Sequence, residues 1–399
     1  MESFRKFGIG FSVAAGMLLA GGNASAQQTY KIGYITDLSG PFRDAYAPVL
    51  EGFLLYMKQL NERGGISGRP VNTIVRDDQL NASRSASMAI ELINGESVSS
   101  LWGLSLSSTL SAVYQVAARN ETPAIANFSG IRTVLPPAAP YAYSIGHVFE
   151  VAGEVSGRMA ADLIGRKGRI VCVSVDSAGG IAGCNHTEAA AKAAGMETDR
   201  VLFPPPTAEF GAIGQSVAAK GPMAVVTHLG AAQVVGVLRS LRGAGYKGPM
   251  LIGAHGVPEA DVIKAMKAAG HESDTYLFSR FAVRDSEGGE MDQVRAAVTK
   301  HGIKGELSNS HLMGWALAKV AEDSLRKCGF PCTGPKLNKL LESSVIDPGS
   351  LMGGKIEFTP KNHYGPSSWR LYRYRSESGK FMAVSDWIKA PAELQHSAN

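Results

Sequence analysis

The fold of this chain is decided by residues 30–76, which read YKIGYIT at 30–36, VLEGFLLYMKQLNERGG at 49–65 and VNTIVR at 71–76. The outer two stretches are short and rich in apolar and β-branched residues, which predicts strands. Between them, five apolar residues recur at helical spacing: Leu50, Phe53, Leu54, Met57 and Leu60. Because the strand residues are apolar in continuous runs, the unit predicts two strands of a buried parallel sheet joined by a helix over 49–62.

The same alternation continues to residue 268. Further strands are predicted at 98–103, 123–127, 169–175, 201–203, 223–228 and 249–254. Further helices are predicted at 83–94, 108–119, 149–166, 188–194, 209–220, 231–244 and 259–268. The remainder predicts helices at 290–300, 310–326 and 335–342 and antiparallel edge strands at 355–358, 369–375 and 381–387. The pattern indicates two doubly wound α/β lobes with several crossings between them, and a ligand site outside the carboxyl ends of the strands.

The predicted division of the chain follows from these crossings. We expect residues 27–142 plus 283–355 to form lobe 1 and residues 143–282 plus 356–390 to form lobe 2, with 391–399 as a tail. Residues 1–26 have the pattern of a secretory signal peptide: a basic start, an apolar run of 14 residues at 7–20 and Ala24-Ser25-Ala26 before the cut. That run is shorter than the ~20 residues of a membrane span. The sequence therefore predicts an exported protein.

Composition excludes several classes of protein. Of the 399 residues, 45% are hydrophobic and 19% are charged, which is typical of an ordinary globular chain and not of a disordered one. The net charge of +5 is spread along the sequence. Nucleic-acid binding needs a concentrated basic stripe, so no nucleic-acid partner is expected.

Export changes the interpretation of the four cysteines. Cys328 and Cys332 flank a Gly and a Pro that turn the chain, so we expect a local disulfide. Cys172 and Cys184 form either a second disulfide or two buried thiols. The nine histidines include no pair closer than ten residues, so no metal site is expected. The Walker and dinucleotide-binding fingerprints are also missing, and no cofactor is expected.

Several motifs, in order, resemble one family. They are TDLSGP at 36–41, NERGGISGR at 61–69, DD at 77–78, GLSLSS at 103–108, VDS at 175–177 and LRSLRGAGYK at 238–247. In this order and spacing the chain resembles type I periplasmic binding proteins of the branched-chain amino acid type, which deliver ligands to ABC importers. The resemblance implies a periplasmic protein that binds a small ligand by hinge closure, works with an inner-membrane permease and catalyses no reaction.

The first lobe offers donors for an anion. Ser107 and Ser108 stand where a strand ends and a helix begins, so their N–H groups and hydroxyls can bind a carboxylate. Plain helix capping by serine is the alternative. The resemblance implies that the next loop, with Phe128, Ser129 and Gly130, also contacts the ligand. Gly130 replaces a Thr of the relatives, and Phe128 either faces the ligand or packs beneath the loop.

The second lobe departs from the pattern of amino-acid-binding relatives. The acidic residue that pairs with the ligand ammonium in those relatives corresponds to Gln233 here, and a neutral amide cannot neutralise a desolvated ammonium. An aromatic residue usual after the first strand of this lobe is replaced by small residues around Gly179. We therefore expect a larger organic acid without an amino group, such as an aromatic carboxylate, with a branched-chain or other amino acid or amide as the alternative.

Four further residues are candidate contacts. His228 and His255 end strands of the second lobe and either donate to the ligand or remain neutral, hydrogen-bonded side chains. Arg43 and Tyr46, in the first loop, are candidates to close over the ligand, and an exposed loop residue explains Arg43 equally well.

Two other classes of function compete. Ser324 and Lys327 match a Ser-x-x-Lys pattern of serine acyltransferases, but the companion motifs are missing, so a serine hydrolase is disfavoured. An exported sensor domain would use the same cleft and the same closure as a transport protein, and the sequence leaves those two roles open.

Overall fold

The computed structural model describes residues 28–104, 106–127, 131–204, 209–253, 259–268, 274–366 and 368–390. The strands are β1 (Tyr30–Thr36), β2 (Val71–Asp77), β3 (Leu101–Gly103), β4 (Ala124–Ala126), β5 (Ala142–Ser144), β6 (Arg169–Val175), β7 (Glu197–Phe203), β8 (Ala224–His228), β9 (Met250–Gly253), β10 (Thr275–Ser279), β11 (Val345–Ile346), β12 (Ile356–Glu357), β13 (Ser368–Arg375), β14 (Lys380–Ala383) and β15 (Ile388–Lys389). The helices are α1 (Arg43–Glu62), α2 (Ala82–Ile90), α3 (Ser107–Arg119), α4 (Phe149–Leu163), α5 (Ala178–Ala193), α6 (Gly211–Ala219), α7 (Ala231–Gly243), α8 (Glu259–Ala268), α9 (Glu290–His301), α10 (Asn309–Cys328) and α11 (Gly334–Leu341).

The first sheet has five strands in the order β2-β1-β3-β4-β5, and every pairing in it is parallel. Successive residues of β1 pack on opposite faces: Tyr34 belongs to the core that holds α1 and α10, and Ile35 to the core that holds α2 and α3. Burial on both faces explains why these strands have continuous apolar runs.

The second sheet runs in the order β14-β13-β10-β9-β8-β6-β7. Its strands β6 to β10 are parallel, and β13 pairs antiparallel with β10, β14 and β15. Helices α4 and α5 pack together on this sheet, as do α6 and α7. The predicted fold class, two doubly wound α/β lobes, is therefore confirmed, and so are antiparallel strands near the end of the chain.

Some elements differ from the prediction. Helix α1 begins at Arg43 rather than at residue 49, and Pro48 lies inside it. Strands β5 and β10 were not predicted from the sequence. β5 has only three residues, too few for a periodic pattern, and it is buried between the crossings of the chain.

Helix α10 returns to the first sheet and packs closely on α1. The approach depends on two glycines, because a Cβ on Gly314 would overlap the carbonyl oxygen of Val49 and a Cβ on Gly52 would overlap that of His311. The packed helices bury Phe53 and Trp315 in one core. The residue bounds of the two lobes given above stay a prediction.

In the part of the chain that the structure describes, no helix has the length and apolar character needed to span a bilayer. The predicted signal peptide at 1–26 and the tail at 391–399 lie outside the described residues.

Candidate functional site

The carboxyl ends of the two sheets meet where the chain crosses between them. After Ser144 at the end of β5 the chain enters α4, which packs on β8 and β9 of the second sheet. After β10 it returns, and the Ala282 N–H donates to the Leu351 carbonyl at 2.7 Å. A third crossing brings Tyr364 beside Ser144 before β13 begins. In open α/β sheets ligands bind outside the carboxyl ends of the strands, so we expect a ligand cleft between the two carboxyl edges, with these crossings as its floor.

The start of α3 forms one wall of this cleft. Its N-cap is Leu106, in an extended conformation and without a side-chain cap, and the Leu110 N–H donates to the Leu106 carbonyl at 2.9 Å. Ser107 and Ser108 are the first two helical residues, and both are exposed. Among the described residues neither serine hydroxyl has a hydrogen-bond partner, so neither one caps the helix. The donors of the first turn therefore point outward at the carboxyl edge of the sheet.

The turn before α3 is strained. Gly103 has φ +85° and Leu104 has φ +59°, although a left-handed conformation is uncommon for a leucine. A Cβ on Gly103 would also clash with the ring of Tyr34. Strain of this kind is concentrated at ligand-binding turns, and here it directs the chain from β3 into the start of α3.

The neighbouring loop is described only in part. Asn127, after β4, is fully buried, and its side-chain amide donates to the Met313 carbonyl at 2.9 Å. The candidates Phe128, Ser129 and Gly130 lie outside the described residues, and so does His255. Their contacts with a ligand stay predictions.

The two candidates of the first loop are placed differently. Tyr46 is only 2% exposed, in the interior of the first lobe near Asp37 and Asp78, and burial raises the pKa of its hydroxyl. Tyr46 is therefore a buried residue of α1 and not a residue of the first loop, as the sequence predicted, and its contact with a ligand stays a prediction. Arg43 is exposed and pairs with Asp44 at 3.2 Å, which is the arrangement of an ordinary surface residue.

The small residues around Gly179 do not leave an empty wall. Gly179 lies in the first turn of α5, and a Cβ there would come within 2.7 Å of the Phe149 ring. Phe149 is the first residue of α4, is half-buried, and contacts the ring of His147 edge-on at a centroid distance of 4.8 Å. The expected room in this wall is thus partly filled by an aromatic ring from another element. The sequence feature that could have indicated this ring is Phe149 itself, an aromatic residue at the start of the helix that follows a crossing.

His228 ends β8 and is 3% exposed. Its Nε2 lies 2.9 Å from the Thr187 hydroxyl, and its ring packs against Gly183 of α5. Burial lowers the pKa of His228 to about 4, so the imidazole is neutral at pH 7. These contacts match the alternative of a neutral, hydrogen-bonded histidine, and a ligand contact by His228 stays a prediction.

The depressed pKa of His228 predicts a pH-dependent stability. Below pH ~6.5 the unfolded chain takes up a proton at this position that the folded chain refuses until about pH 4, so stability is lost as the pH falls through this window. Between pH 7 and pH 5, urea unfolding should show a loss about 2 kcal/mol larger in the wild type than in His228→Gln. Equal losses in the two proteins would contradict the assignment of this neutral histidine.

Gln233 stands at the start of α7, three residues after the N-cap Gly230. A Cβ on Gly230 would approach the Gln233 side-chain oxygen to 2.9 Å, which shows that the amide folds back over the beginning of the helix. The half-buried side chain is therefore at the carboxyl edge of the second sheet and carries no charge.

Both cysteine pairs are disulfides. The Cys328–Cys332 disulfide was predicted. For Cys172 and Cys184 the sequence left a disulfide or two buried thiols open, and the structure has the disulfide.

The described residues contain no cluster of His, Cys, Asp or Glu that could hold a metal ion. The Ser-x-x-Lys pattern also has a structural explanation: Ser324 is fully buried in α10, and Lys327 pairs with Asp323 at 2.5 Å.

Comparison with known proteins agrees with this architecture. Residues 29–380 match the family model described as a periplasmic binding protein. The chain is 25% identical to Leu/Ile/Val-binding protein homolog 7 of Brucella abortus (strain 2308) over 97% of this chain and 98% of that one.

Two solved structures are similar in fold. A branched-chain amino acid ABC transporter protein from Thermus thermophilus with bound valine has a TM-score of 0.75 at 19% identity, covering 91% of this chain and 97% of that chain. A solute-binding protein of an ABC transporter from R. palustris, in complex with benzoate, has a TM-score of 0.73 at 16% identity, covering 91% and 98%. Because the family model spans most of the sequence, this chain belongs to the periplasmic binding protein family.

Proposed function

We propose that this protein captures a small organic acid without an amino group, an aromatic carboxylate above all, by hinge closure. The observation that carries the proposal is the combination of free donors at the start of α3 with the neutral Gln233 at the start of α7. The first can bind a carboxylate, and the second provides no charge for an ammonium. Ligand binding to one lobe would then stabilise the closed form through contacts with the other.

The aromatic surroundings support an aromatic ligand. The half-buried Phe149 stands at a crossing between the lobes, and His147 and His228 are both neighbours of its ring. An aromatic ring presents a flat apolar face that favours stacked or edge-on contact with another ring. The benzoate complex of the R. palustris protein shows that this fold accommodates such an acid.

A branched-chain amino acid is the second candidate. It is favoured by the name of the Brucella relative, which aligns along nearly the whole chain, and by the valine bound to the Thermus protein. An amino acid would need another group to compensate its ammonium in place of Gln233.

Calorimetric titration separates the two candidates. The purified protein should first be unfolded and refolded to remove any bound ligand, and then titrated with benzoate, 4-hydroxybenzoate and leucine. We expect the aromatic acids to bind at least 100-fold more tightly than leucine. Tight leucine binding would overturn the proposal, and a rise of Tm with each bound ligand gives an independent check.

The serines at the start of α3 provide a mutational prediction. The double variant Ser107→Ala/Ser108→Ala should lose ~1 to 3 kcal/mol of binding free energy, or about 5- to 150-fold in Kd, because their hydroxyls meet a charged group. Ser111→Ala, an exposed serine further along the same helix, is the matched control. An unchanged Kd in the double variant would show that the ligand does not use these hydroxyls.

We also propose that the chain is exported to the periplasm with cleavage after Ala26, and that it delivers its ligand to an inner-membrane permease. The family works with such permeases, which supports transport over the alternative of an exported sensor. A permease and an ATPase reconstituted in vesicles should hydrolyse ATP faster with the ligand-loaded protein than with the ligand-free one. Stimulation of a receptor instead of a permease would favour the sensor.

A further inference from the structure

Arg280 lies at a crossing between the two sheets, where the floor of the proposed cleft is expected. It directly follows β10, at a crossing between the lobes, and is only 2% exposed. Its Nε donates to the Ile145 carbonyl at 2.8 Å and its Nη2 to the Asn127 carbonyl at 3.1 Å. The guanidinium therefore joins the carboxyl ends of β4, β5 and β10.

The charge of Arg280 is not neutralised by any acid in the described parts of the chain. Its described neighbours are two backbone carbonyls and the rings of Phe281 and Trp369, whose centroids lie 4.7 and 5.9 Å from the guanidinium carbon. Burial lowers the pKa of Arg280 to about 10, so the group remains a cation at pH 7. A buried, unpaired cation is expensive unless an anion approaches it.

The surroundings of this cation are polar and incompletely bonded. A cavity of about 10 Å³, room for one water molecule, is lined by Arg280, Asn309 and Trp369 among others. Among the described residues, the side-chain oxygen of Asn127 and the hydroxyl of Tyr364 are buried without a hydrogen-bond partner. Asn127 immediately precedes the loop at 128–130, and its own N–H donates to the Gly103 carbonyl at the entry to the α3 turn. The cation is thus bonded to Asn127, which is itself bonded to the entry of the α3 turn.

We propose that Arg280 determines the specificity of the cleft for anions, as a fixed charge beneath the ligand carboxylate. The inference rests on the proposed function and names the group that favours a carboxylate over its neutral analogues. In a poorly solvated hinge a unit charge acts over several ångströms with little screening, so direct contact with the ligand is not required.

Arg242 provides a matched control in the same lobe. It is also buried, at 4% exposure, and donates to the carbonyls of Tyr246 and Gly248, both at 2.9 Å. It lies at the opposite, amino-terminal edge of the second sheet, near Asp274. Replacing it removes a buried arginine and its backbone hydrogen bonds without altering the charge at the hinge.

The test compares a carboxylate with its neutral amide. The affinities of benzoate and benzamide, and of leucine and leucinamide, should be measured by calorimetry in the wild type, Arg280→Met, Arg280→Lys and Arg242→Met. We expect Arg280→Met to lower the ratio of carboxylate to amide affinity at least tenfold, Arg280→Lys to preserve most of it, and Arg242→Met to leave it unchanged while lowering Tm. If Arg280→Met does not fold, Arg280→Gln gives the same comparison.

An equal loss for carboxylate and amide would show that Arg280 acts only as a structural support, and an unchanged ratio would show that its charge is not sensed. Either result overturns the inference. The failure of the proposed function is a separate outcome, because it appears in the wild type as a preference for leucine over benzoate, whereas the inference is judged on the change of the ratio in the variants.

Discussion

Replacing Gly314 by valine should lower the free energy of unfolding by about 3 kcal/mol or more, or abolish folding. A Cβ at Gly314 overlaps the Val49 carbonyl oxygen and approaches the Phe53 nitrogen to 2.8 Å, and both of these atoms belong to the backbone of α1. Backbone cannot rotate away as a side chain can, so α1 and α10 must separate and the core between them opens. The measurement is urea unfolding of the refolded protein.

Gly243→Ala is the matched control for this prediction. Gly243 is the last residue of α7, and a Cβ there would meet nothing within 4 Å. Alanine should therefore leave stability unchanged or raise it by up to ~1 kcal/mol. A Gly314→Val protein with the stability of the wild type would contradict the close packing of the two helices.

Helix α10 also carries Met313, whose carbonyl accepts a hydrogen bond from the Asn127 side chain. A moderate separation of α1 from α10 should therefore weaken ligand binding as well.

Removal of the Cys172–Cys184 disulfide should cost about 3 kcal/mol of unfolding free energy. The bridge joins β6 to α5 across 12 residues, and both cysteines are fully buried. Closing a loop of this length in the unfolded chain accounts for about 3 kcal/mol on the chain-entropy model. The double variant Cys172→Ala/Cys184→Ala, compared with the oxidised wild type by thermal and urea unfolding, gives the value.

The second disulfide serves as the comparison. Cys328–Cys332 spans only four residues, so the same model gives about 2 kcal/mol for Cys328→Ala/Cys332→Ala. We therefore expect the first pair to contribute more than the second. The reverse order would mean that loop closure does not dominate these bridges. The first turn of α5 contains Gly179, which lies beside Phe149. Loss of the first bridge should therefore also reduce ligand affinity, whereas loss of the second should not.

The candidate site was predictable only in part. The start of α3 was recognisable because a strand followed by Ser107 and Ser108 is a local pattern, and a helix terminus has the same free donors wherever it occurs. The sequence placed Tyr46 in a loop, whereas α1 begins at Arg43 and includes it. The proposed roles of Phe149 and Arg280 could not be predicted, since both residues lie at crossings and Arg280 is held by a carbonyl 135 residues away in the sequence.

Four features could be predicted from the amino-acid sequence alone: the alternation of strands and helices, the two-lobed α/β architecture, the local Cys328–Cys332 bridge and the family. These follow from apolar periodicity and short-range turns, which depend on neighbouring residues. Three features became apparent only in the folded chain: Cys172 meets Cys184, Phe149 fills the space beside Gly179, and Arg280 lies at a crossing without an acidic partner among the described residues. The physical reason is that packing distances and the neutralisation of a charge depend on residues far apart in the sequence, which become neighbours only when the two sheets are brought together.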